Sequence, residues 1–292
     1  MAIRRNSVRG AGFVLAAASR LLVGNGALAD EPASTKSGLD KPILGAVNDS
    51  TGTVGRLDLR ERYERLPNAN GLQPEKWVTT LRVDLWSGVG DGGKLYGRLD
   101  QPLVYSNDVT SPFNPNGHSR FGQGDLLTEA ALISPALTAR VGYEVGIRSV
   151  WPTGSLNEAG DGKYQVGPVV GASFALPQLH PGSSFLLEAI YLNSVASRNE
   201  NKGRADINQL NLQPQLHVVL PNEWFLTTYS SSSGSIIKNY GNEGKWFVPL
   251  DLMVGKKVDK FVGSLEFSRQ LFHAQDFQPY QWQLEGRIGY YF

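Results

Sequence analysis

Apolar and polar residues change places at almost every step over most of this chain. Leu210, Leu212, Pro214, Leu216, Val218 and Leu220 alternate with Gln209, Asn211, Gln213, Gln215 and His217. Trp282, Leu284, Gly286, Ile288, Tyr290 and Phe292 alternate with Gln281, Gln283, Glu285 and Arg287. Near the front, Leu57, Leu59 and Tyr63 oppose Asp58, Arg60, Arg62 and Glu64, with Glu61 intruding on the apolar side. Side chains alternate across a strand, so each run predicts a strand with one apolar and one polar face. The runs are about ten residues long and end in Gly, Pro, Asn or Ser clusters. They predict about twelve antiparallel strands, all-β, in up-and-down order. Short and long connections alternate, with the long ones over 106–123, 152–163, 195–206 and 232–244. Four prolines inside apparent strands, Pro102, Pro168, Pro214 and Pro249, demand bulges or breaks, because proline lacks a ladder donor.

Alternation alone fits two folds of opposite sense. A soluble sandwich or lipocalin-like barrel turns the apolar face inward; a transmembrane barrel turns it toward lipid. Three features favour the membrane. Residues 1–29 carry Arg4, Arg5 and Arg9, an apolar stretch and Ala27-Leu28-Ala29, the pattern of a cleaved export signal. Aromatic residues stand near strand ends, as interfacial girdles require: Trp77, Tyr105, Trp151, Trp224, Trp246, Trp282, Tyr290 and Phe292. The last strand ends on Tyr290-Tyr291-Phe292, an edge a soluble protein would leave open to aggregation and a closed barrel would not. That ending resembles the terminal strand of bacterial outer-membrane barrels, which implies recognition by the barrel-assembly machinery. The expected layout is a signal peptide over 1–29, an irregular periplasmic lead-in or plug over 30–54, and an outer-membrane β-barrel over 55–292.

Composition narrows the chemistry. There is no cysteine, which removes disulfides, thiolate catalysis and Cys-ligated metals. The formal net charge of +1 argues against nucleic acid as a partner. The four histidines, His118, His180, His217 and His273, are scattered, and none has a serine and an acid at a spacing that makes a catalytic triad. Asn157, Glu158 and Asp161 share one polar loop, which reads as a solvated loop before a calcium site. No catalytic residue, cofactor or metal is expected.

Several short stretches then fall in a telling order: Arg120-Phe-Gly-Gln-Gly-Asp-Leu126, Trp151-Pro-Thr-Gly-Ser155, Gln165-Val-Gly-Pro168, Leu212-Gln-Pro-Gln215, Lys245-Trp-Phe-Val-Pro-Leu250 and Val254-Gly-Lys256. Together, over roughly residues 95 to 292, they resemble the outer-membrane transporters of the phenol-degradation meta-pathway family. The resemblance implies passage of small solutes, often hydrophobic or aromatic compounds. It does not extend to residues 30–94.

In a membrane barrel the polar face lines the lumen. The candidate lining residues are Arg60, Arg62, Arg82, Asp84, Arg98, Asp100, Arg140, Glu144, Arg148, Glu188, Gln209, Asn211, Gln213, Gln215, His217, Glu266, Glu285 and Arg287. The charges are of both signs at spacings that allow pairing between neighbouring strands. Two readings follow: a salt-bridged, filled interior in a structural or surface barrel, or a narrow polar pore whose charges select solutes. A lipid-acting enzyme is the third. The expected partners are outer-membrane lipid, the assembly machinery and small solutes.

Overall fold

The computed structural model describes residues 55–68, 71–89, 93–111, 114–134, 141–198, 205–274 and 277–292. The signal peptide, the lead-in over 30–54 and Arg140 lie outside these residues. The described strands are β1 (Gly55–Arg65), β2 (Glu75–Val89), β3 (Gly93–Asn107), β4 (Arg120–Gln123), β5 (Leu126–Ile133), β6 (Val141–Trp151), β7 (Lys163–Ala175), β8 (Ser184–Ser197), β9 (Asn208–Val219), β10 (Trp224–Thr228), β11 (Ile236–Asn239), β12 (Lys245–Val258), β13 (Phe261–His273) and β14 (Trp282–Tyr291).

Every pairing is antiparallel, and β1 pairs with both β2 and β14, so the sheet closes on itself. β4 and β5 both pair with β3 and form one broken stave; β10 and β11 both lie between β9 and β12 and form another. Counted as staves, the barrel has the expected 12 strands. The chain enters β1 and leaves β14 at the same end, because Arg56 pairs with Tyr291. The ends of β1, β3, β6, β8, β11 and β13 lie at the opposite, outer end.

The four strand prolines mark where the wall is irregular. Pro102 faces the break between β4 and β5, and its carbonyl accepts from Gly124 N at 2.9 Å. Pro168 lies where the β7–β8 ladder skips from Val166↔Asn193 to Val169↔Ile190. Pro214 faces the break between β10 and β11 from one side. Pro249 stands at a register shift in the β12–β13 pair and faces the same break from the other side. Each proline thus occupies a position where a ladder donor has no regular partner.

The apolar face looks outward. Leu81 is 46% exposed, Leu250 52% and Ile288 55%, while Asp84 is 1% exposed, Glu266 1% and Arg148 2%. Keeping a Leu or Ile in water costs about 1.5–3 kcal/mol relative to burial. A wall of such residues is stable only against lipid, which overturns the soluble alternative. Aromatics band both ends of this face. At the outer rim Tyr63 packs on Trp77 and Trp282, with ring centroids 4.9 and 5.1 Å apart. At the other rim Phe261 packs on Tyr290 at 5.1 Å. From Trp282 to Tyr290 the strand covers ~26 Å, or ~20 Å along the normal at a tilt of about 40°, most of the ~25 Å apolar band of such barrels.

The interior is not uniformly polar. β8 turns Leu186, Ile190 and Leu192 inward, and Val169 packs with the last two. Tyr96, Ala131 and Ile133 cluster with Leu186, and Phe225, Met253, Val262 and Tyr291 form a third group. Residues 185–192 are apolar on both faces except for Glu188, whose parity with Leu186, Ile190 and Leu192 is the one sign of the inner side.

Candidate functional site: the barrel lumen

Antiparallel register turns the two-residue spacing of charges into rows. Arg56 pairs with Asp84, Asp84 with Arg98, Arg98 with Glu129, and Glu129 with Arg148. The sign of charge therefore alternates across five neighbouring strands. A parallel row runs from Asp58 to Arg82 to Asp100. The side chains use this placement. Arg56 Nη2 is 2.9 Å from both Asp58 and Asp84, and Arg82 Nε is 2.8 Å from Asp100. Arg60 reaches Glu285 at 2.5 Å, and Arg62 reaches Glu64 at 2.7 Å. Arg287 bridges Glu266 and Glu285. Tyr96 donates to Asp84 at 2.7 Å. Buried ions are costly unless paired and hydrogen-bonded; the lattice pairs these ions, while Arg56 Nε and Arg60 Nε stay buried without a hydrogen bond.

A second feature lies where β10 gives way to β11. The expected outer loop over 232–244 is corrected here: Ile236–Asn239 is strand β11 in the wall, and residues 229–235 turn into the lumen. Ser231 caps a short 3₁₀ turn, accepting from Gly234 N at 3.2 Å. The segment then meets β13, which lies just beyond its neighbour β12, and β6 on the other side. Ser230 and Ser231 donate to the Glu266 carboxylate, each at 2.5 Å. Arg148 Nη1 donates to Ser232 Oγ at 2.8 Å, joining β6 to a point 84 residues later. Arg148 also pairs with Glu129 and lies 3.6 Å from Glu188. The result is a polar septum anchored on β6 and β13.

The lumen holds two cavities, one of them against the septum. The inner one has a volume of ≈ 80 Å³ and is lined by charged residues such as Arg98, Glu144 and Glu188, by Ser230–Ser232, and by Tyr96, Leu186, Met253 and Val262. The outer vestibule, ≈ 750 Å³, is lined by Arg62, Glu64 and Lys76 and by residues of loops 108–119, 152–162 and 198–207. The two have no lining residue in common.

The candidate residues divide between these features. Arg82, Arg98, Glu144, Arg148, Glu188, Gln213, Gln215, His217 and Arg287 line the inner cavity. Arg62 lines the vestibule. Arg60, Asp84, Asp100, Glu266 and Glu285 belong to the ionic lattice. Gln209 and Asn211 pair with β11 near its outer end, Asn211 buried and Gln209 half-buried. Gln215 donates to Tyr229 O at 3.3 Å and so supports the septum. The His217 ring contacts Thr227 Oγ1 at 2.8 Å; the His180 and His273 rings contact the carbonyl of the following residue. Sequence reasoning missed Arg56, Glu129, Tyr96 and the septum serines. Arg56 and Glu129 carried a signal, since each sits two residues from another inward position of its strand.

Two of the quoted stretches prove to be one structure. Leu126 N donates to Thr153 Oγ1 at 3.0 Å, and Ser155 N to Gln123 O at 2.9 Å. The Asp125 carboxylate accepts from Gly154 N at 2.9 Å, Asp161 N at 2.6 Å and Gly162 N at 3.2 Å. A Cβ on Gly160 would strike that carboxylate. The break between β4 and β5 thus pins loop 152–162 above the barrel mouth.

No protein-family model matches the sequence. No curated protein matches it either. Solved structures do. The KdgM porin in complex with disordered oligogalacturonate aligns with TM-score 0.46 at 9% identity, covering 81% of this chain and 99% of that one. The translocator domain of the autotransporter NalP from Neisseria meningitidis aligns with TM-score 0.42 at 12% identity, over 84% and 90%. An outer membrane channel from Pseudomonas putida F1 aligns with TM-score 0.60 at 15% identity, over 85% of this chain and 100% of that one. The chain has the fold of that channel, a closed antiparallel outer-membrane barrel.

Proposed function

We propose that the chain is an outer-membrane channel for small solutes, exported by its amino-terminal segment and inserted through its terminal strand. The observation that carries this is the pairing of a lipid-compatible outer face with a charged lumen that holds an inner cavity against the septum and a vestibule lined by outer-loop residues. Arg98, Glu144 and Glu188 beside Tyr96, Leu186 and Met253 give the inner cavity a polar side and an apolar side. That lining suits a small molecule with an apolar face and a polar end, as an aromatic compound of the kind the family resemblance implies can have. A bare hydrocarbon would leave the arginines without a partner for their remaining donors. The role needs no catalytic residue.

Swelling of vesicles carrying the purified protein tests the reading. Swelling is expected in phenol-sized solutes and should fall steeply with solute size, because the inner cavity is small. A second reading, a structural barrel with a filled interior, is favoured by the septum contacts of Arg148 and Glu266. Absence of both swelling and single-channel conductance would establish that second reading.

A further inference from the structure

The outer rim carries a concave site on the lipid-facing side, away from the lumen. It has a volume of ≈ 630 Å³ and is lined by Phe267, Arg269, Gln270, Gln278, Gln281 and Trp282. Its place in the wall is fixed by register. Arg269 of β13 pairs with Trp282 of β14, and Trp282 pairs on its other side with Arg65 of β1. Two guanidinium-bearing residues therefore flank one indole on a single row. Arg269 is exposed and lies on the same face of β13 as Phe267, which is 43% exposed toward lipid. The floor is held by backbone bonds: Gln281 N donates to Arg65 O at 2.7 Å, and Gln270 N to Gln281 O at 3.1 Å. Gln278 and Gln270 are joined through their amides. The Trp282 ring leans on Tyr63 at 5.1 Å and Phe267 at 6.5 Å.

The row of Trp282 is the outer aromatic girdle, so this site opens at headgroup height in the outer leaflet. A strand cation there is outside the hydrocarbon and faces lipid anions. The lining combines a planar guanidinium, which takes two oxygens of a phosphate; three amides, each offering donors and an acceptor; and aromatic faces against which a sugar ring stacks. Phosphatidylglycerol would use the cation and offer its glycerol hydroxyls to the amides, but it has no ring to set against Trp282.

We propose that this site binds the phosphorylated sugar headgroup of an outer-leaflet glycolipid, with the phosphate on Arg269 and the sugar between Trp282 and the glutamine amides. The proposal rests on the outer-membrane reading above. The test uses the full chain in bilayer discs, with lipid A, its dephosphorylated form or phosphatidylglycerol as probe and native mass spectrometry as readout. Lipid A should be retained at least tenfold more tightly than phosphatidylglycerol. Arg269→Gln should remove that advantage and leave retention of dephosphorylated lipid A unchanged. Lys256→Gln, beside Trp224 at the opposite rim with its ammonium 5.4 Å from that ring, should change nothing. Equal retention of lipid A and phosphatidylglycerol, or an Arg269→Gln protein that behaves as the native one, overturns the site. Vesicle swelling is measured on the same samples. Swelling without selective lipid retention sinks the lipid site alone, whereas a chain that fails to enter bilayers sinks the channel reading with it.

Discussion

The wall is interrupted twice, and the interruptions serve opposite ends. Between β4 and β5 the break is Gly124-Asp125 alone, and it works outward: Asp125 collects three backbone N–H groups from loop 152–162. Between β10 and β11 the break spans residues 229–235 and works inward, closing the lumen against Glu266 and Arg148. Both use the same device, a carboxylate set against a glycine. A Cβ on Gly160 would strike Asp125, and one on Gly234 would strike Asp251. In both, a proline on the neighbouring strand faces the gap, where a lost donor costs nothing. What differs is what surrounds the carboxylates. Asp125 is met by backbone amides of a loop open to solvent. Glu266 and Asp251 are buried among arginines, so their bonds hold in a low-dielectric interior.

The inward break should respond most strongly to mutation. Arg148→Ala removes the guanidinium that pairs with Glu129, approaches Glu188 and donates to Ser232. Two acids are left buried without that partner, at a cost of about 3–5 kcal/mol. Urea unfolding in vesicles should show that loss, and single-channel recordings should show higher conductance as the septum loosens. Lost stability with unchanged conductance would mean that residues 229–235 do not limit the passage.

At the outward break the same logic yields a smaller effect of another kind. Asp125→Ala deprives three amide groups of a charged acceptor, but water reaches the loop and replaces much of what is lost. The expected cost is about 1–3 kcal/mol. Loop 152–162 should become open to added protease in intact vesicles, with conductance at its native value. A conductance change equal to that of Arg148→Ala would erase the distinction between the two breaks.

The two breaks also differ in how far the sequence discloses them. Gly122-Gln-Gly-Asp125 and Trp151-Pro-Thr-Gly-Ser155 stand out as glycine- and proline-bearing stretches, although nothing in the chain says that one grips the other. Residues 230–235, Ser-Ser-Ser-Ser-Gly-Ser, have the composition of a solvated loop, and from 232 on that is how they read. Serine hydroxyls suit water and buried carboxylates equally, so composition cannot tell a surface loop from a septum. The strand pattern was legible because alternation with period two depends only on the backbone. The ionic rows were legible in part. Arg98 and Asp100 plainly share a face, but their meeting with Glu129 and Arg82 depends on register, which turn geometry sets. β8 was legible only through Glu188: Leu187 and Tyr191 are as apolar as Leu186 and Ile190, and parity with that one acid marks the inner side, where Leu186 packs against Tyr96 and Ile133.

The smallest expected effect extends the comparison to a second outer loop. Lys163 Nζ is 3.0 Å from Asp206 Oδ1, tying the start of β7 to loop 198–207. Asp206 is open to water, so the tether is screened, yet the hydrogen bond and charge of Lys163 hold its carboxyl below the ordinary value of 3.8. Because the folded value is depressed, the tether is complete above that ordinary value and is lost as pH falls through the lower folded one. Carboxyl-detected NMR titration in micelles should place Asp206 below ordinary aspartates. Lys163→Met should bring it back to them, with no measurable change in swelling or conductance. A titration unmoved by Lys163→Met would mean that the loop is held by other contacts, such as Arg198 Nη1, which donates to Pro152 O at 3.2 Å and Gly154 O at 2.8 Å.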